Sequence, residues 1–327
     1  SKGNFVTMKN AVEDYSADAI RCALLLAAEG MDDPDWRSDN VRDMQSKLES
    51  FYNFAKNIIE GAKSDGNGHL EKWLMSVLQH RTSEVTENLE EMKTRTALEI
   101  ALFEIWNDFR WYMRRKGETE SKIPKEALKT WLKLVAPFAP HICEELWSEI
   151  EEEGFVSLAK WPQVSEKHVD IAAEEQENLI KEVIEDTLNV LKATKITPKK
   201  IFYYTASPWK WKVYLKVIEK LRYGEVKLNE LMKDFAADED LKKNIKEIAK
   251  FTSKTLEEIK RIPEKRRENL LKVKASNEKD VIEDAKVFLM DRFKAQIMVY
   301  NEEDKERYDP RQRAVLAMPC RPAIYIE

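Results

Sequence analysis

Hydrophobic positions along this chain recur mostly every third and fourth residue, the period of an amphipathic helix. Val41, Met44, Leu48, Phe51, Tyr52, Ala55 and Ile58 form one such stripe between Asp39 and Ile59. The run Ser64-Asp65-Gly66-Asn67-Gly68 then predicts a loop. Further helices are predicted from Leu70 to Leu89 and from Lys93 to Lys116, the latter with Thr96, Leu98, Ala101, Leu102, Ile105, Trp106 and Phe109 on its apolar face. Gly117 is placed to stop that helix, and Pro124 to open another that continues to Leu134. Pro137 and Pro140 end one helix and start the next, whose Ile142, Leu146 and Ile150 are expected to face inward. Successive helices with short links predict an antiparallel bundle.

After a further amphipathic helix, Ala172 to Leu191, the period changes. Ile201 to Thr205 is aromatic and β-branched and reads as a strand, as do Ala295 to Tyr300 and Ala323 to Glu327. Between the first two strands, helices are expected at 210–221, 228–235, 240–248, 255–262, 264–271 and 280–293. This pattern predicts a small α+β domain, with a short sheet capped by helices, whose strand order is left open.

Composition narrows the class. The 327 residues are 35% charged with a net charge of −5, so both signs are interspersed. No apolar run is long enough to span a bilayer and no signal-peptide pattern is evident, so a soluble chain is expected. Cys22, Cys143 and Cys320 lack paired spacing, which argues for a reducing compartment and against a disulfide frame or a zinc site. His141 with Glu144 and Glu145 has metal-binding types, but at the start of a helix such a set is expected to be a cap or a surface pair.

An acidic chain that binds RNA must concentrate its cations. Lys192, Lys195, Lys199, Lys200, Lys210, Lys212, Lys216, Lys220 and Arg222 are opposed along the sequence only by Glu219, and Tyr203, Tyr204, Trp209 and Trp211 are interleaved. That is the mixture of phosphate contacts and stacking faces that RNA surfaces use. Lys260, Arg261, Lys265, Arg266, Arg267, Lys272 and Lys274 form a second cluster, and Arg110, Arg114, Arg115 and Lys116 beside Trp111 a third. The acidic stretch from Glu144 to Asp186 is expected to face away from RNA. For any one lysine the competing reading is a solvated charged face.

Several segments resemble class I aminoacyl-tRNA synthetases. Ser1-Lys2-Gly3-Asn4, with the stretch to Arg21, resembles the end of the KMSKS signature and the helix after it. Leu134-Val135-Ala136-Pro137-Phe138-Ala139-Pro140-His141 through Trp147 resembles the bundle signature of the leucyl, valyl and isoleucyl enzymes, and Trp161-Pro162 fits the pair that closes it. Ala27 to Trp36, Glu104 to Gly117 and Pro198 to Lys212 resemble the archaeal and eukaryotic leucyl branch. Two departures are Ser16, where relatives usually carry Gly, and Ser207-Pro208 between Ala206 and Trp209.

The resemblance, which covers essentially the whole chain, implies a mainly α fold. A helical bundle of the class I anticodon-binding type (46–170) would follow a stem-contact segment (1–45) and precede a C-terminal α+β tRNA-binding domain (171–327). It implies the tRNA-binding half of an enzyme that ligates leucine to its tRNA with ATP. No HIGH motif, glycine-rich nucleotide loop or editing signature is present, so this portion is expected to be inactive alone and to bind no cofactor or metal. Ser1, Lys2 and Asn4 would be a remnant of the ATP loop. The implied partners are leucine tRNA and the catalytic and editing domains of the same chain, in a cytoplasmic monomer.

Candidate tRNA contacts are Arg110, Arg114, Arg115, Lys199, Lys200, Trp209, Lys210, Lys212, Arg266 and Arg267. In the leucyl branch the C-terminal domain recognises the long variable arm of the tRNA, which adds Arg311, Arg313, Arg321, Ile326 and Glu327. The alternative for the terminus is a strand that merely completes the sheet. For the whole chain the alternatives are a valyl or isoleucyl fragment and a helical protein-interaction module.

Overall fold

Thr7 and Ser16 open the first two helices. Each hydroxyl accepts the N–H three residues on, Asn10 and Ala19, at 3.2 Å, so α1 (Met8–Asp14) and α2 (Ala17–Ala27) begin on side-chain caps. The computed structural model describes residues 6–61, 68–117, 123–150, 154–224, 226–242, 245–274 and 277–327. Ser1, Lys2 and Asn4, and most of the 64–68 loop, lie outside the described residues. The chain divides into two units, 1–170 and 171–327.

In the first unit, α3 (Ser38–Gly61) and α4 (His69–Glu90) precede a long helical stretch. The single helix predicted there is α5 (Thr94–Leu98), a π turn over Glu99–Glu104, and α6 (Ile105–Lys116). Within the π turn, the Ala101 carbonyl accepts the indole N–H of Trp131, from α7 (Lys125–Val135), at 2.8 Å. Trp131 is fully buried, its ring 4.5 Å from Phe109 and 4.9 Å from Phe51. Gly117 ends α6 at φ +82°, a backbone that a side chain would strain. Pro140 opens α8 (Pro140–Glu149), whose buried side is Cys143, Leu146 and Trp147, with Ile150 following. Leu146 and Ile150 are buried as predicted, whereas Ile142 is only half-buried and Cys143 and Trp147 take the inward positions beside them. Trp161 closes the unit by donating its indole N–H to Thr86 Oγ1 at 2.9 Å.

The second unit opens with α9 (Ile171–Thr194), followed by β1 (Lys200–Thr205). The sheet order is β2-β1-β3, with β2 (Gln296–Asn301) parallel to β1 and β3 (Ala323–Ile326) antiparallel to it. A parallel neighbour requires a crossover, and every helix between the first two strands lies in it. β1 is central and covered on both faces: Tyr203 reaches Thr187 Oγ1 of α9 at 2.8 Å, while Phe202 and Tyr204 pack on Ala314 and Ala317.

The crossover comprises α10 (Pro208–Leu221), α11 (Leu228–Ala237), α12 (Glu239–Lys242), α13 (Ile245–Lys260), α14 (Glu264–Val273), α15 (Glu278–Asp284) and α16 (Lys286–Phe293). The helices predicted at 240–248 and 255–262 are thus divided differently. Ile248, Thr252, Thr255, Leu256 and Ile259 form one unbroken buried stripe, so α13 spans the gap. The helix predicted at 280–293 breaks at Ala285, which is fully buried.

Candidate nucleic-acid interface

The basic stripe of α10 does not form a positive face. Lys212 bonds Asp238 and Asp240, both at 2.7 Å, Lys216 reaches Asp238 at 2.6 Å, and Lys220 reaches Asp234 at 2.7 Å. These acids arrive on α11, α12 and the residue between them, and the two lysines hold the Asp238 carboxyl well below the usual range. Lys210 is a stronger correction. It is 3% exposed, and its ammonium donates to the Val315 and Ala317 carbonyls and pairs with Glu302, each at 2.8 Å. Burial lowers its pKa and Glu302 opposes that fall. An ammonium saturated in this way holds the 315–317 segment and has no N–H left for a phosphate.

The aromatic residues of the same segment are also largely spent. Tyr203, Tyr204 and Trp211 are buried. Trp209 is half-buried, edge-on to Phe251 at 5.4 Å.

Among the remaining candidates, Arg266 is held by Glu175 and Glu182, whose charges raise its pKa against the lowering by burial. Burial in turn raises Glu175, with Arg266 opposing. Arg267 lies beside it, half-buried on α14. Arg321 makes a two-pronged pair with Asp186 at 2.9 and 3.1 Å. Ile326 is buried at the end of β3, opposite Ile201, so its side chain completes the sheet rather than facing a ligand.

One end of the sheet does gather exposed cations. The N–H groups of Lys199 and Lys200 donate to the Glu327 carbonyl at 2.6 and 2.9 Å, leaving both lysine side chains exposed. Together with Lys294, Lys199 and Lys200 line a groove of about 410 Å³. The Glu327 side chain accepts the Tyr308 hydroxyl at 2.7 Å, which draws in the loop carrying Arg311 and Arg313, both exposed. Asp309 shapes that loop by accepting the N–H groups of Arg313 and Ala314 at 2.7 and 2.9 Å. Lys199 and Lys200 therefore meet at Glu327, whose side chain also holds Tyr308 of the loop that carries Arg311 and Arg313. Lys294 joins the two lysines with no local signal in the sequence, since it lies 94 residues from Lys200.

In the first unit, Arg110 and Arg114 are exposed on α6, with the Arg114 guanidinium 5.6 Å from the Trp111 ring centroid. Arg115 is half-buried in the same turn. His141 and Glu144 do not converge. His141 pairs with Asp18, while Glu144 accepts the N–H groups of Val156 and Ser157.

Residues 71–202 match the anticodon-binding domain of tRNA ligase. The whole chain is 35% identical to a leucine–tRNA ligase of Methanococcoides burtonii and 36% identical to that of Pyrococcus abyssi. It spans 34% and 32% of the length of those relatives. A solved LeuRS–tRNA–LeuAMS ternary complex from Agrobacterium radiobacter overlaps 64% of this chain and 24% of its own, at a TM-score of 0.46 and 20% identity.

Proposed function

We propose that this chain, similar from end to end to archaeal leucine–tRNA ligases, is the part of such an enzyme that holds tRNA. The observation that carries the reading is that similarity, which runs through both units rather than one motif. On this reading the whole protein ligates leucine to its tRNA with ATP, and the residues that bind ATP and perform the chemistry lie outside the chain. The chain alone binds no ATP and charges no tRNA. Its partners are leucine tRNA and the catalytic and editing domains of the same protein, a monomer in the cytoplasm.

The contribution to catalysis is positional, since a tRNA held in one geometry presents its acceptor end repeatedly to the same place. Lys199 and Lys200, beside Glu327, and the exposed Arg311 and Arg313 of the loop that Tyr308 ties to it are suited to the phosphates of a protruding arm. Lys210 and Ile326 act there only as supports.

The test is binding of the chain to leucine tRNA and to the same tRNA with a shortened variable arm, at two salt concentrations. Tighter, salt-sensitive binding to the long-armed form is expected. Equal binding to both would remove the variable arm from the reading, and binding to neither would overturn it. A charging assay on the chain alone is expected to show no leucylation.

A further inference from the structure

A second groove, of about 490 Å³, lies in the first unit between α3 and the stretch formed by the π turn and α6. Ser46 and Lys47 form one wall, and Phe103, Trp106, Asn107 and Arg110 the other. Among the described residues no carboxylate lines it. Both cations are exposed, and neither makes an ion pair among the described residues. That separates them from the α10 lysines, which the fold neutralises. The Lys47 ammonium stands 5.0 Å from the Phe103 ring centroid, over the groove wall. Trp106 adds an indole N–H that is enclosed and has no acceptor among the described residues. Buried donors are rarely left so.

The groove's described lining thus offers an ammonium, a guanidinium, an amide and the hydroxyls of Ser46 and Ser50, the latter donating to the Ser46 carbonyl, with no negative group among them. Such a set suits a ligand made of anionic oxygens. The two cations stand on opposite walls of a trough far larger than one phosphate needs, which favours a polymer of phosphates over a small anion.

We propose that the α3–α6 groove binds the ribose–phosphate backbone of an RNA strand, a subsite that rests on the tRNA-holding reading. Lys47 and Arg110 contact phosphates, and Ser46 and Asn107 donate to phosphate or ribose oxygens. Contacts of this kind position a strand without reading its sequence.

The test is a salt titration of leucine tRNA binding by the unmodified chain and by a Lys47→Ala/Arg110→Ala double variant. Both side chains are exposed, so the fold is expected to survive, and circular dichroism checks it. Removing two phosphate contacts is expected to lower the magnitude of the log K against log salt slope by about 1.4 to 1.8. An unchanged slope in a variant that still binds tRNA overturns the groove and leaves the tRNA-holding reading standing. Failure of the unmodified chain to bind tRNA overturns both.

A second readout is the nitrogen-15 indole resonance of Trp106, assigned by its loss in Trp106→Phe. It is expected to shift on addition of a single-stranded RNA and to stay in place with inorganic phosphate at equal total phosphate. An equal shift with both would make this a small-anion site and overturn the RNA proposal.

Discussion

The carboxylate of Asp18, on α2, caps α8 across 123 residues of chain. Oδ1 lies 2.8 Å from His141 Nδ1, and Oδ2 accepts the Ile142 N–H at 3.0 Å. The N-cap position of α8 is Ala139, which has no side chain able to do this. A negative charge at a helix N-terminus is favourable in its own right. The two partners belong to two of the first unit's segments that carry the family resemblance, the stretch to Arg21 and the one from Leu134 to Trp147, so one buried acid joins them.

Asp18→Ala is expected to destabilise the chain by about 2–4 kcal/mol, since it strands the Ile142 N–H and frees Arg21. His141→Ala should cost under about 1 kcal/mol, because its ring is mostly exposed. Denaturant titration of both variants checks the order. Equal losses would mean that the pair, rather than the cap, matters.

Lys210 and Lys212 should behave oppositely although they are two residues apart. Lys210→Ala leaves Glu302 and two carbonyls without their partner and is expected to cost about 3–5 kcal/mol. Lys212→Ala breaks solvent-screened pairs and should leave stability nearly unchanged. Chemical unfolding followed by circular dichroism decides.

For RNA the informative contrast is Lys199→Ala/Lys200→Ala against Lys212→Ala/Lys216→Ala. The first pair is expected to lower the salt slope by about 0.7–0.9 for each phosphate no longer neutralised. In the second pair, Asp238 already takes up the charge, and the slope should change little. A larger effect from the second pair would show that RNA displaces those carboxylates.

Glu278 introduces a pH dependence of defined sign. Burial pushes its carboxyl from 4.5 up to about 7, while Oε1 accepts the Cys320 N–H at 2.6 Å. Between those values the folded chain keeps a proton that the unfolded chain has released. Its contribution is therefore fully present below pH 4.5, falls as pH rises, and levels off above about 7. The limiting slope is about 1.4 kcal/mol per pH unit. Glu175, also raised by burial, acts in the same direction. Asp238 is held low by Lys212 and Lys216, so its contribution is lost only in strong acid, outside this window. Glu278→Gln should flatten most of the decline in thermal midpoint between pH 5 and 7, and an undiminished decline would reassign it.

Legibility from sequence differed by kind of feature. The stripe from Val41 to Ile58 was readable because period 3.6 is the local consequence of burying one side of a helix, and the strand at Ile201 to Thr205 because a run of aromatic and β-branched residues suits a strand buried on both faces. The break at Ala285 and the π turn at Glu99–Glu104 were not, since each is set by packing on other elements. The candidate site divided along the same line. Lys199, Lys200, Arg311 and Arg313 are exposed, while Lys210 and Ile326 are interior.

By itself the sequence determined the helical bundle, the later α+β region and the family resemblance, because periodicity, proline placement and motifs are written in neighbouring residues. Tertiary structure alone decided which cations remain free. A run of lysines specifies charge but not its partners: Asp234, Asp238, Asp240 and Glu302 lie 14 to 92 residues from the lysines they neutralise. Coulomb attraction acts through space, so potential at a surface is settled only once the fold has placed both signs.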